Sequence, residues 1–493
     1  MLFFGLSAGI PLLLIFSSLG LWLREAGVER STVTFFSWAA LGYSFKFVWA
    51  PLVDCLPLPF LTRKLGRRRA WILLSQLAII TSILLMGFTD PSSGMVQLKI
   101  MALTAVMLGF SSATQDIVID AYRIESAPIE LQALMSSTYI AGYRIGMLLS
   151  GAGSLFLAGH LGSELNSYNY IAWQVTYACM AIIMLIGVVT TLIIDEPESN
   201  QTIKNKYSSN TYIRFVIVFF IAATGFILSF LLSSDIASIW KENLDSVLNN
   251  PAISNFLIEL IRLSSGITIA LSITFLSIKI KFIEQQVINE SYVAPVVDFF
   301  KRYGIKLAFL LLALICLYRI SDIVLGVIAN IFFQDLGYSK TEIASIVKTF
   351  GLFMTLLGGF LGGILSVRFG VIKILFVGAL LTVLTNLLFM LLAVKGYDIT
   401  LLYLVISADN LSAGLASAAF VAFLSRLTNI SFTAMQYAIF SSLMTLIPKL
   451  IGGYSGSIVE NIGYTQFFLI ASLIGLPVLW IIYLANKHLN FEK

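Results

Sequence analysis

Asp116 and Asp120 lie four residues apart in the stretch GFSSATQDIVIDAYRIE (109–125), with Arg123 and Glu125 close behind. On a helix these two carboxylates share one face, one turn apart. Two neighbouring carboxylates in apolar surroundings do not both ionise cheaply, which suits one of them to take up and release a proton. Asp116 lies deeper in its apolar run than Asp120 by about 6 Å. Asp120, Arg123 and Glu125 also read as an ion-pair cluster at the end of that run. Arg319 and Asp322 are spaced as a helical pair, and Asp409–Asn410 is a further acidic site inside an apolar run. Asp116, Asp120, Asp322 and Asp409 are therefore the expected proton-coupling residues. Lys46 and Arg144 stand alone in apolar stretches, FFSWAALGYSFKFVWAPL and STYIAGYRIGMLLSGAG. Each suits an anionic ligand, and a guanidinium can grip a carboxylate through two parallel hydrogen bonds. Arg144 also reads as the partner of Asp116 or Asp120. Arg319, Asn410, Gln115, Gln436 and Tyr143 complete the expected ligand-binding set, although buried amides also join helices. Asp54 with the basic run Arg67, Arg68 and Arg69 reads, from its residues alone, as a plain positive anchor at one membrane face.

These charges need a scaffold that keeps them out of lipid. The chain has 493 residues, of which 58% are hydrophobic and 12% charged. A soluble domain has roughly 45–50% apolar and about 25% charged residues, so lipid is the solvent here. The net charge of +5 is spread over many loops, which argues against nucleic acid as a partner. Cys55, Cys179 and Cys316 are far apart, and the two histidines, His160 and His488, lie near expected helix ends. Neither type makes a metal-ligand pattern, so no metal or cofactor is expected. GGFLGG (358–363) and GAGS (151–154) lie in apolar runs and read as helix-packing stretches rather than phosphate loops. No enzymatic constellation appears.

Segments of about 20 apolar residues suffice to cross a bilayer, and about fourteen are present. Six precede residue 194, near 2–23, 33–55, 71–89, 97–122, 132–158 and 171–194. The run from Met1 to Leu23 has no charged leader and is too long for a signal-peptide core. Two more lie near 212–234 and 256–278, and six follow near 305–329, 342–366, 371–394, 399–424, 433–457 and 465–486. The polar stretches 195–210 and 279–306 flank the central pair. With the N-terminus inside, the inner loops hold about nineteen Lys and Arg against about seven outside, which places both termini in the cytoplasm.

The chain also repeats. LWLREAGVERSTV (21–33) aligns with IFFQDLGYSKTEI (331–343), Arg123 with Arg426, and Gln132 with Gln436, at an offset of about 303–310 residues. A parallel repeat of six helices around a central site is one of the transporter architectures. The expected fold is all-α and membrane-integral: a bundle over 1–194, linkers and two inserted helices over 195–304, and a second bundle over 305–493.

The stretches GLSAGIPLLL (5–14), WLREAG (22–27), FKFVWAPLVD (45–54), GRRRAWILLSQ (66–76), SATQDIVIDAYRIE (112–125), GYRIGMLLSG (142–151), SAAFVAFL (417–424) and TAMQYAIFSSL (433–443) resemble those of the AmpG-type muropeptide permeases, a branch of the major facilitator superfamily. They run through both halves. Asp54 and the basic run Arg67, Arg68 and Arg69 resemble, with a longer spacer, the superfamily's loop between the second and third helices, which implies a cytoplasmic gate of these residues with Arg123. The resemblance implies a monomeric carrier in a bacterial inner membrane. It implies proton-driven import of N-acetylglucosaminyl-anhydro-muropeptides from periplasm to cytoplasm for peptidoglycan recycling. YRISD (318–322) departs from the lysine and glycine common in the family, and ADN (408–410) from its glutamate. Both departures bear on the ligand, and another bulky anion such as an acyl-coenzyme A is the alternative cargo.

Overall fold

The apolar runs fold as helices because hydrocarbon leaves each backbone N–H and C=O to be satisfied within its own segment. The computed structural model describes residues 1–28, 36, 42–163, 167–197, 208–248, 251–339, 342–452 and 455–489. Helix α1 (Leu2–Leu13) continues through a π-helical stretch, Leu14–Ser18, into Leu19–Glu25. Helix α2 (Ala50–Cys55) follows a helical turn, Gly42–Phe45, and a 3-10 turn, Lys46–Val48. Next come α3 (Arg67–Gly87), α4 (Met95–Glu125), α5 (Gln132–Leu148) and α6 (Tyr170–Ile193). Helix α5 also passes through a π-helical stretch, Leu149–Gly153, into Ser154–His160. The central pair is α7 (Ser209–Leu232) and α8 (Pro251–Lys279). The remainder is α9 (Ala294–Leu317), α10 (Ile320–Asp335), α11 (Gly351–Phe369), α12 (Val371–Lys395), α13 (Ile399–Leu427), α14 (Thr433–Gly452) and α15 (Ser455–His488).

Among the described residues, 11 helices are long and apolar enough to cross a membrane. About fourteen spans were expected from the sequence. The first is divided by its π-helical stretch, the second is described only at 36 and over 42–55, where it falls into short helical pieces, and the segment at 433 forms a shorter apolar helix. The stretch 279–306, read as polar linker, is partly helical. Gly304 (φ 71, ψ 161) interrupts α9, so Ala294–Tyr303 forms a helix before the membrane segment begins. Phe299 and Tyr303 share one face of it, and the Phe299 ring packs on Phe440 at 5.2 Å.

The chain divides into two compact units, Met1–Asn200 with Asp298–Lys493, and Gln201–Val297. In the smaller unit α7 packs on α8, with Gly225 against Ile273 and Gly266 against Phe226. A helix over Ser234–Leu248 is tied to α8 by Lys241 and Glu259, 2.7 Å apart. In the larger unit α1 packs on α5, α3 lies against α4 and α6, and α12 lies against α13 and α15. Its N-terminal and C-terminal halves meet along two seams. Helix α5 packs on α11 and α13, and α14 packs on α2 and α4. Helices α5 and α14 carry the matching Gln132 and Gln436, so each half lends the equivalent helix to the other.

The α1–α5 contact is backbone on backbone. A Cβ on Gly142 would lie 1.9 Å from the Leu2 carbonyl oxygen, and one on Gly9 would lie 2.1 Å from that of Tyr143. Only glycine permits this approach, the close packing that membrane helices use where no hydrophobic force pairs them. Gly142→Leu is expected to cost more than about 3 kcal/mol, beyond ordinary overpacking. Thermal unfolding of the detergent-solubilised protein measures it. Gly159→Ala, with nothing within 4 Å of the new Cβ, is the control that keeps its midpoint.

Candidate functional site

Helix α4 carries the first cluster inward. Asp116 is 8% exposed, Asp120 7% and Lys46 6%, although all three are charged residue types. Burial of this kind requires partners. Asp120 has two: Lys46 Nζ stands 3.8 Å from its Oδ2, and Arg123 Nη2 donates to its Oδ1 at 3.4 Å. The Tyr139 hydroxyl, from α5, donates to Asp116 Oδ1 at 3.5 Å. Lys46 is brought there by the 3-10 turn between Gly42–Phe45 and α2, where Trp49 Nε1 donates to Thr114 Oγ1 at 3.0 Å. Tyr43 donates to Ser112 at 2.6 Å and lies within the electrostatic reach of Tyr143 and Asp116. Gln115 is fully buried, and among the described residues its amide has no hydrogen-bond partner.

The second cluster belongs to the C-terminal half. The helix breaks between Leu317 and Ile320, and Arg319 at that break donates through Nε and Nη2 to Asp322 Oδ2, the Nε contact being 3.2 Å. Asp409 lies within electrostatic reach of Asp322 and accepts from Thr385 at 3.4 Å. Asn410 accepts from Thr355 at 2.9 Å and donates to the Ile406 carbonyl at 3.0 Å, which joins α11 to α13. Arg144, from α5 of the opposite half, interacts electrostatically with Arg319, Tyr143 and Asp322. Two guanidiniums from opposite halves thus share the field of one carboxylate.

The third cluster lies at the Glu125 end of α4. Arg68 donates to Asp54 Oδ1 at 2.8 Å, to Glu125 Oε1 at 2.5 Å and Oε2 at 3.0 Å, and to Thr433 Oγ1 at 2.9 Å. Thr433 in turn donates to Glu125, and Asp54 Oδ2 accepts from the Met435 N–H at 3.2 Å. Arg123 donates to Ser136 at 2.9 Å and to Ser425 at 2.8 Å, and lies 5.2 Å from the centre of the Tyr437 ring. Thr433, Met435, Ser425 and Tyr437 all belong to the C-terminal half, so this end of the two seams is bonded shut.

The sequence-predicted residues fall into three groups. Asp116, Asp120, Lys46 and Arg123 come together, as do Arg319 and Asp322 with Asp409 and, across the seam, Arg144. Of the expected gate, Asp54 and Arg68 lie at its centre. Arg67 donates to the Asp54 carbonyl at 2.6 Å, and Arg69 turns to the carbonyls of Thr191 and Leu192 at 3.0 and 2.8 Å. Gln436 is apart from both acid clusters: its amide donates to Asp298 and accepts from Arg302 and the Asn429 N–H. Residues that sequence reasoning passed over include Thr433, Tyr43, Tyr139 and Glu196. The Glu196 carboxylate accepts from the N–H groups of Arg68 and Arg69 at 2.8 and 3.0 Å and so caps α3. Its position just after α6, beside the GRRR run, was the available signal.

A helical membrane protein with ionisable groups buried among its helices, where an N-terminal and a C-terminal half meet, is the class of protein that this geometry defines. The Major Facilitator Superfamily model matches residues 1–294 and 310–490. A Rickettsia conorii protein named as transporter AmpG 4 is 31% identical over 486 residues, covering 99% of this chain and 95% of the relative. The anhydromuropeptide permease of Escherichia coli K12 is 27% identical, covering 100% of this chain and 80% of the relative. Among solved structures, the proton:xylose symporter XylE matches with a TM-score of 0.61 at 13% identity, covering 98% of this chain and 93% of that one. FucP in its outward conformation matches with a TM-score of 0.58 at 12% identity, covering 98% of each chain. The chain belongs to the Major Facilitator Superfamily and, within it, to the AmpG-type permeases. It is a membrane-embedded transporter of a small molecule and not an enzyme.

Proposed function

We propose that this transporter imports N-acetylglucosaminyl-anhydro-muropeptides from periplasm to cytoplasm across a bacterial inner membrane, driven by protons, with both termini cytoplasmic. The observation that carries the reading is the buried acid cluster of α4, where, among the described residues, Asp116 lacks the direct ion pair that Asp120 has. A carboxyl group held at depth without a fixed counter-charge is suited to carry a proton. The resemblance to the E. coli anhydromuropeptide permease supports the cargo.

The bundles over 1–194 and 305–493 are the two moving bodies in this reading, with 195–304 as an insert. Arg144 and Arg319 receive the peptide carboxylates of the cargo, while Gln115, Tyr143 and Asn410 line its path. Asp322 and Asp409 form a second acid site. The Asp54–Arg68–Glu125–Thr433 cluster is the cytoplasmic gate, closed in this conformation. Purified protein in liposomes tests the whole. An inward proton gradient of one pH unit is expected to accumulate labelled muropeptide up to about tenfold, the limit for one proton per cycle. Uptake that ignores the gradient overturns the coupling. No saturable uptake of labelled muropeptide, with saturable uptake of a labelled acyl-coenzyme A by the same liposomes, overturns the cargo.

A further inference from the structure

We infer that Lys46 is the internal counter-ion of the α4 acid site and does not hold the anionic group of the cargo. This rests on the proposed proton-coupled reading and deepens it.

Two cations serve the two carboxylates, and their placements differ. The Arg123 guanidinium is immobilised: it donates to Ser136, Ser425, Gln132 and Asp120 and lies over the Tyr437 ring. Lys46 has a flexible stem and a long ion pair, 3.8 Å to Asp120 Oδ2, and its charge also acts on Asp116. The remaining titratable groups that face the carboxylates are tyrosines: Tyr43 from the turn before α2, Tyr139 and Tyr143 from α5, and Tyr437 from α14. None of these carries a positive charge. Among the described residues, Lys46 is therefore the cation with reach to both acids and freedom to choose between them. With Asp116 protonated, it stays with Asp120, as here. When Asp116 releases its proton, the new carboxylate draws the ammonium toward itself. The Lys46–Val48 turn packs on α14 across the seam, so this movement is felt where the halves meet. An anion-holding role fits poorly, because the ammonium is buried and already neutralised by Asp120. Arg319, paired with Asp322, and Arg144, within electrostatic reach of the same carboxylate, are better placed for that role.

Charge-neutral replacement separates the two roles. Lys46→Met takes one of the two cations from the buried Asp120 and leaves it only Arg123 at 3.4 Å, and is expected to lower muropeptide accumulation in liposomes roughly tenfold. It is also expected to lower the thermal midpoint. Lys46→Met combined with Asp120→Asn removes both charges together. The double variant is expected to regain the midpoint and much of the transport, with a pH profile altered from that of the native protein. Lys46→Arg, which keeps the charge, is expected to retain transport with a shifted profile. A double variant that regains its midpoint yet transports no better than Lys46→Met overturns the inference, since a cargo-holding lysine cannot be replaced by removing its neighbour's charge. A double variant no more stable than Lys46→Met also overturns it. The stability comparison needs no substrate, so it decides the role of Lys46 even if muropeptide proves not to be the cargo.

Discussion

Asp116→Asn is expected to abolish accumulation of muropeptide against its gradient, a loss of up to about 10²-fold in the steady-state ratio at an inward gradient of two pH units with one proton per cycle. The amide imitates the protonated acid in shape and charge but cannot release a proton. The carrier can then still exchange external for internal cargo while losing its link to the gradient. Counterflow in liposomes without a gradient measures the first property, and gradient-driven uptake measures the second. Normal accumulation by the variant would remove Asp116 from the proton path. Asp120→Asn should behave differently. It releases Lys46 and Arg123 from their shared carboxylate, so its defect should extend to counterflow as well.

The gate cluster yields the second large effect, and two substitutions divide it. Arg68→Ala leaves Asp54 and Glu125 buried side by side without their cation. Loss of one member of a buried pair costs about 3–5 kcal/mol. All three residues belong to the N-terminal half, so this cost falls on the fold in either conformation, and a large fall in thermal midpoint is expected. Thr433→Val removes only the hydroxyl that links Arg68 and Glu125 to α14. Hydrogen bonds to charged groups are worth about 1.5–3 kcal/mol, which corresponds to a shift of roughly ten- to a hundredfold toward the conformation open at this end. Maleimide labelling of Ser137→Cys in a background free of Cys55, Cys179 and Cys316 reads that shift, because Ser137 is buried in the seam against Gly363. Equal labelling with and without Thr433→Val would show that the hydroxyl does not hold the gate.

Much of the scaffold was legible because hydrocarbon writes its demands into composition. Runs such as 171–194 and 371–394 were recovered as Tyr170–Ile193 and Val371–Lys395 nearly to the residue. The charges at depth, Lys46, Asp116, Asp120 and Arg144, stood out for the same reason. Their partnerships did not, because pairing depends on tertiary placement. Asp120 and Arg123 pair within a helix, at a spacing visible in sequence, whereas Lys46 arrives from a turn 74 residues earlier in the chain. Thr433 was hidden because a neutral hydroxyl bridging two charged groups carries no signature of its own. Gln436 has the same type and burial as Gln115, and only geometry separates its bonds to Asp298 and Arg302 from the unpartnered amide of Gln115. The helix at Ala294–Tyr303 was read as linker because its charged residues masked the apolar face made by Phe299 and Tyr303.

The glycine contact between α1 and α5 has a mechanical consequence. Carbonyl oxygens of one helix nest where the other has no side chains, leaving no compliant layer to shear. Sliding one helix along the other would drive each oxygen into the next ridge, so the pair transmits torque as a single beam. Arg144, Tyr143 and Tyr139 are mounted on that beam, and any tilt that opens one mouth of the carrier sweeps them through the same arc as the first helix.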